Sequence, residues 1–131
     1  MKDRVIYWIE LSDYDLETAE AMLNTSRFLY VGFMCHQTIE KIFMAWFCQL
    51  KLENPPYSHN LAYLARKGDF FELLSEDQKG VVDILEPLNI EARYPSYKDR
   101  LIKNLSRERC TLILSQTKEL QEWIKMRLSQ K

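Results

Sequence analysis

Between Asp3 and Asn24 neither Gly nor Pro interrupts the chain, and Trp8, Leu11, Ala19, Met22 and Leu23 recur at helical spacing. That spacing puts them on one face of a long amphipathic helix. A second stripe, Phe28, Val31, Cys35, Ile39, Ile42, Trp46 and Leu50, follows Asn24-Thr25-Ser26, which offers turn and N-cap chemistry. With Phe43 and Phe47 beside it, the apolar sector is broader than a two-helix seam requires. This helix is predicted to bury against several neighbours or across a subunit boundary.

The run Glu53-Asn54-Pro55-Pro56-Tyr57 stops the second helix, because each Pro lacks an N–H and restricts the residue before it. Ser58 is placed to cap a short helix through Leu61, Leu64 and Ala65 that ends at Gly68, after which a linker carries Phe70 and Phe71 onto the core. Ser75 with Gln78 fits a capping box, and Val81, Val82, Ile84, Leu85 and Leu88 continue that helix. Pro87 either kinks it or opens a new segment that reaches Arg93 and stops at Pro95. From Pro95 to Lys103 the chain reads as an exposed connection, with room for a helical turn near its end. Ser106 then starts a last helix with the stripe Cys110, Ile113, Thr117, Leu120, Trp123, Ile124 and Leu128. No alternating run suggests a strand. The predicted fold is all-α: an antiparallel up-and-down four-helix bundle with one additional short helix, a single domain over residues 1–131.

Composition changes this picture little. The 131 residues suit one domain, and 3 Gly with 4 Pro leave little material for a turn-rich β-sandwich. The balance of 18 Lys+Arg against 19 Asp+Glu gives a formal charge of −1, so any nucleic-acid contact has to come from a local patch. Cys35, Cys48 and Cys110 form no CxxC pair and sit among apolar neighbours, which reads as reduced core thiols. The N-terminal stretch has no apolar signal region, and no apolar run approaches a membrane span, so a cytoplasmic protein without membrane contact is expected.

Candidate chemistry is sparse. Gly32, Gly68 and Gly80 are too few and too far apart to write a GxGxxG or Walker loop, and GxSxG and HExxH are absent. His36 and Glu40 stand one turn apart on the second helix, either as an imidazole with its orienting carboxylate or as a hydrogen-bonded core or interface pair. The di-iron type of ExxH pair is missing, and neither a metal nor a cofactor is called for. Arg93-Tyr94-Pro95-Ser96-Tyr97-Lys98-Asp99-Arg100 joins three cations to two aromatics beside a Pro stop. It suits phosphate contact by Arg93, Lys98 and Arg100 with base stacking on Tyr94 or Tyr97, or it is an ordinary solvated loop. His59, just after the double proline, either polarises a ligand, caps the next helix or packs under the loop.

Several of these segments, taken in order, resemble the HEPN domain, the helical family named for nucleotide binding in higher eukaryotes and prokaryotes. Trp8, Asp15-Leu16 and Ala19 resemble its opening helix. Tyr30-Val31-Gly32-Phe33 with His36-Gln37-Thr38-Ile39-Glu40-Lys41 and Ala45 is similar to its aromatic, Gln and Glu-Lys run. Ser58-His59-Asn60-Leu61 with Leu64 is similar to its His-x-Leu turn, and Ala92-Arg93-Tyr94-Pro95 to its Ala-Arg-Tyr-Pro signature. The resemblance covers nearly the whole chain. It implies a helical bundle that pairs into a homodimer, often beside a nucleotidyltransferase-like partner in a toxin–antitoxin-like arrangement, with His36 and Glu40 orienting polar groups in the cleft.

Some branches of that family are metal-independent endoribonucleases whose motif is an Arg followed, four to six residues on, by a His. After Arg93 the corresponding positions hold Lys98, Asp99 and Arg100, and neither His36 nor His59 has an Arg at that distance upstream. Imidazole is the side chain whose ordinary pKa suits both proton transfers of RNA cleavage near neutrality. The resemblance therefore implies a non-catalytic nucleotide- or RNA-associated dimer. The alternatives are a toxin-like ribonuclease that uses His36 or His59, and a purely structural dimerisation module. On stability the stripes make a direct prediction: Ile39→Ala or Trp46→Ala costs about 2–5 kcal/mol in urea unfolding if both side chains are core.

Overall fold

The structure, a computed structural model, describes residues 2–91, 99–100 and 103–129. Helix α1 spans Lys2–Asn24, α2 Phe28–Lys51, α3 Leu61–Lys67, α4 Glu76–Glu91 and α5 Arg107–Ser129, with a 3₁₀ turn at Phe71–Leu73. Among the described residues there is no strand. The architecture is the expected all-α bundle with one additional short helix. None of the helices among the described residues is long and apolar enough to cross a membrane.

Helix α2 is the axis of the bundle, because α1, α3, α4 and α5 all pack on it. Its residues from Ile42 to Cys48 are buried without a break, so no side of the helix faces solvent there. The wide apolar sector is thus covered within one chain. On α1 the innermost line is Val5, Ser12 and Ala19, with Trp8, Ile9, Leu16, Met22 and Leu23 at its flanks. The expected face included Leu11, which is only half-buried; Ser12 takes the central place because its hydroxyl donates to the Thr38 carbonyl at 2.7 Å. The α2 stripe ends one turn early, since Leu50 is 47% exposed where α2 outruns its neighbours.

Local chemistry differs from the expected caps at two places. The α1–α2 turn carries no side-chain N-cap: Arg27 holds the cap position and Ser26 adopts a left-handed φ of 61°. Arg107 of α5 closes this turn from outside, donating to the Leu23 carbonyl at 3.2 Å and to the Ser26 hydroxyl. At α3 the cap is Asn60, whose Oδ1 accepts from the Tyr63 N–H at 2.9 Å, while Ser58 accepts from the Asn60 N–H. The α4 box forms as its sequence predicts, with Ser75 and Gln78 each accepting the other's backbone N–H at 3.1 and 2.8 Å. Ser106 caps α5 through the Arg109 N–H. Pro87 lies inside α4, which runs on to Glu91, so no new segment begins there.

The connection after α3 is seated by aromatic packing. Phe70 stacks on Trp46 with centroids 4.2 Å apart and meets Phe43 edge-on at 5.2 Å, and Trp46 meets Trp123 at 5.9 Å. Gly68 makes room for that stack: a Cβ there would lie 2.4 Å from the Phe70 ring. Gly80 in α4 is the opposite case, with nothing within 4 Å of an added Cβ. Gly80→Ala should therefore stabilise the fold by about 0.5–1 kcal/mol, and Gly68→Ala should destabilise it by about 1–3 kcal/mol through overpacking. Chemical denaturation of the two variants checks both signs.

Candidate functional site

Polar side chains on α2 converge where α2, α4 and the start of α3 meet. Helical spacing puts His36 and Glu40 on one side of α2, and both are buried, with side-chain exposures of 0% and 4%. They do not bond to each other: His36 Nδ1 stands 3.8 Å from Glu40 Oε1, beyond hydrogen-bond reach. Glu40 Oε1 instead meets His59 Nδ1 at 2.9 Å, which brings the loop after the double proline down onto α2. With Glu40 ionised, Nδ1 is the protonated nitrogen of His59.

The other side of His36 faces α4. Its Nε2 lies 4.0 Å from Glu86 Oε1, so the ring sits between two carboxylates. Glu86 has a second task. Its two oxygens accept the backbone N–H groups of Leu61 at 2.9 Å and Ala62 at 3.2 Å, donors that the first turn of α3 cannot satisfy internally. One turn on, Asn89 Oδ1 accepts from Gln37 Nε2 at 3.0 Å, and Lys41 donates to Gln37 Oε1 at 3.0 Å and to Asp15 Oδ2 at 2.9 Å. The His-Gln-x-x-Glu-Lys run of α2 thereby ties together α1, α4 and the entry to α3.

Burial raises the Glu40 carboxyl above the ordinary carboxylate range, and the His59 hydrogen bond, the His59 charge and the Lys41 charge draw it partly back. The thiols are suppressed by the same physics. Burial pushes Cys35 up to about 12 and Cys110 to about 11, and Cys48 is also raised. All three are free and buried, as their apolar neighbours predict, and are inert as nucleophiles at neutral pH.

Of the residues singled out from the sequence, the structure brings His36 and Glu40 together. Arg93, Tyr94, Tyr97 and Lys98 lie outside the described residues, and Arg100 is helical and exposed. His59 turns out to be the partner of Glu40, and Asn60 rather than His59 caps α3. Glu86 and Asn89 were missed altogether. Their signal is present, because Val82, Leu85, Glu86 and Asn89 share one helical stripe, and a polar residue in an apolar stripe needs a buried partner. Among the described residues no group of three or more His, Cys, Asp or Glu is disposed to hold a metal ion.

An all-α bundle with a central helix whose Gln and Glu-Lys positions bind its neighbours defines a class, and comparison with known proteins gives it a family. The HEPN domain model matches residues 5–127, and the chain belongs to the HEPN domain family. Among solved structures it is similar to the crystal structure of TT1696 from Thermus thermophilus, at 17% identity and a TM-score of 0.79, over 94% of this chain and 97% of that one. At that identity the likeness shows the fold. No curated protein matches the chain.

The raised carboxyl makes a signed prediction. The folded state holds the Glu40 proton more tightly than the unfolded chain, so ionising Glu40 costs stability. That cost is absent below the unfolded value of about 4.3 and complete above the raised folded one. Glu40→Gln keeps an oxygen for His59 and removes the charge. Its stability relative to wild type, from urea unfolding across pH, should improve as pH rises from about 4 toward neutrality; a flat or opposite trend would refute the assignment.

Proposed function

We propose that the chain is a non-catalytic HEPN protein that works as a dimer, associates with a nucleotide or RNA, and acts beside a nucleotidyltransferase-like partner. HEPN domains are nucleotide- or RNA-associated and commonly dimerise. One observation carries the non-catalytic part. Both imidazoles of the chain are engaged by carboxylates at a helix junction, His36 with no exposed surface and His59 through its bond to Glu40. Metal-free RNA cleavage needs one group to take the 2′-hydroxyl proton and another to protonate the leaving oxygen. Arg93, Lys98 and Arg100 supply charge pairing to phosphates, with Tyr94 or Tyr97 stacking on a base, and no bond is made or broken.

A second reading, a toxin-like endoribonuclease with a non-standard His, is favoured by one feature. His59 keeps 37% of its side chain exposed while Glu40 holds Nδ1, the orientation of a carboxylate-positioned base. A single assay separates the two. Labelled RNA incubated with the purified protein and a chelator should stay intact; cleavage that disappears in His59→Ala would establish the second reading instead. Under the first, RNA affinity should fall with added salt with a log–log slope of about −2, for three phosphates at about 0.7 each. Light scattering should give twice the chain mass. Indifference to both RNA and salt would remove the ligand role.

A further inference from the structure

Helices α4 and α5 both pack on α2 and leave between them an open groove of about 720 Å³. On α4 it is lined by Asp77, Gly80, Val81 and Ile84, and on α5 by Gln116, Glu119, Leu120 and Trp123. Both sets follow i, i+3, i+4, i+7 spacing, so each helix turns one whole stripe toward the groove. The floor is apolar. Leu120 is buried, while Val81, Ile84 and Trp123 are half-buried and keep apolar surface that no described residue covers.

The rim carries one sign of charge. Asp77 and Glu119 stand on opposite walls, Glu76 joins Asp77 at the start of α4, and among the described lining residues there is no Lys or Arg. Glu76 is paired with Lys79 at 3.5 Å, whereas neither Asp77 nor Glu119 has an ion pair with a described residue. Glu76 and Asp77 also suit the positive end of the α4 dipole; Glu119 lies well inside α5, where no such reason applies. Gly80 adds an independent observation. Nothing lies within 4 Å of a Cβ added there, so the packing of this chain does not require a glycine. A glycine in the wall of a groove lets the backbone of a partner approach closely.

From these observations we infer that the groove docks an amphipathic α-helix of a different protein. The apolar stripe of that helix sits on Val81, Ile84, Leu120 and Trp123, and Lys or Arg side chains along its flanks pair with Asp77 and Glu119. Two neighbouring stripes at helical spacing present the ridges between which a third helix packs. Charge then selects among occupants. RNA has the same sign as the rim and is repelled by it. In an isologous pair of this chain, groove against groove, the acidic rim would face its own copy. A basic flank is what carboxylates on both walls reward. The groove uses none of Arg93, Tyr94, Tyr97, Lys98 or Arg100, so it stands apart from the proposed RNA contacts.

Fluorescence anisotropy with a labelled model peptide tests the assignment. The peptide is a helix of about 15 residues built from Leu, Ala and Lys, with Leu at i, i+3, i+4 and i+7 and Lys on both flanks. It should bind the whole wild-type chain, and counterparts with Glu in place of Lys, or with the Leu positions scrambled, should not. Gly80→Leu, which fills the slot, and Glu119→Lys, which reverses the charge of one wall, should each weaken peptide binding tenfold or more without weakening RNA binding. Because the space at Gly80 is open and Glu119 is exposed, both variants should unfold at or above the wild-type midpoint. No binding of the basic peptide, or binding indifferent to both variants, overturns the groove and leaves the proposed function standing. Peptide binding as expected with indifference to RNA does the reverse. Should either variant halve the mass that light scattering gives for the wild type, the groove is a contact between copies of this chain and the basic helix is overturned.

Discussion

A carboxylate carried into a helical bundle has to be met by donors, and the bond from His59 to Glu40 at 2.9 Å is where this chain meets that demand. Desolvation alone would drive Glu40 toward its neutral form, and the imidazole together with Lys41 opposes it. A hydrogen bond to a charged group contributes about 1.5–3 kcal/mol, which is large beside a net stability of about 5–15 kcal/mol. Position and energy therefore agree: the buried Glu40 carboxylate on α2 is held by a hydrogen bond from the loop that leads into α3.

The geometry of the short elements follows from that corner. Seven residues of helix are too few to persist alone. Helix α3 persists because Asn60 and Glu86 satisfy its first N–H groups, while Leu61, Leu64 and Ala65 are buried. Once α3 is seated, Gly68 lets the chain turn closely enough for Phe70 to stack on Trp46. The same anchoring fixes the proline loop at both ends, between the end of α2 and His59. A hydrogen bond inside the bundle thus sets where an exposed tyrosine stands on its surface.

Legibility in the sequence divides along a physical line. The stripes of α2 and α5 could be read because apolar burial is periodic and local, and the Ser75–Gln78 box because both its partners lie on adjacent turns. Pro87 misled in one of its two readings: a proline in a helix forfeits one hydrogen bond, a loss that Val82, Leu85 and Leu88 on the buried face outweigh. The pairing of Glu40 with His59, 19 residues away, was not legible, because His36 at helical spacing was the nearer partner. The stripe marks Glu86 as a polar residue that needs a partner, but its partners were hidden, because they are backbone N–H groups of α3 with no side-chain signature. Ordered segments carrying the HEPN resemblance could be read where single polar contacts could not, since a family pattern records many such contacts at once.

Family membership assigns the scaffold, and the reaction still has to be argued from the side chains. Within one protomer, two imidazoles could meet one RNA phosphate only if His36 left its place between Glu40 and Glu86. That move exposes a carboxylate pair and disturbs the oxygens that cap α3. The burial and bonding of His36, Glu40 and Glu86 give them a structural task at that corner, where they bind α3 and α4 to α2.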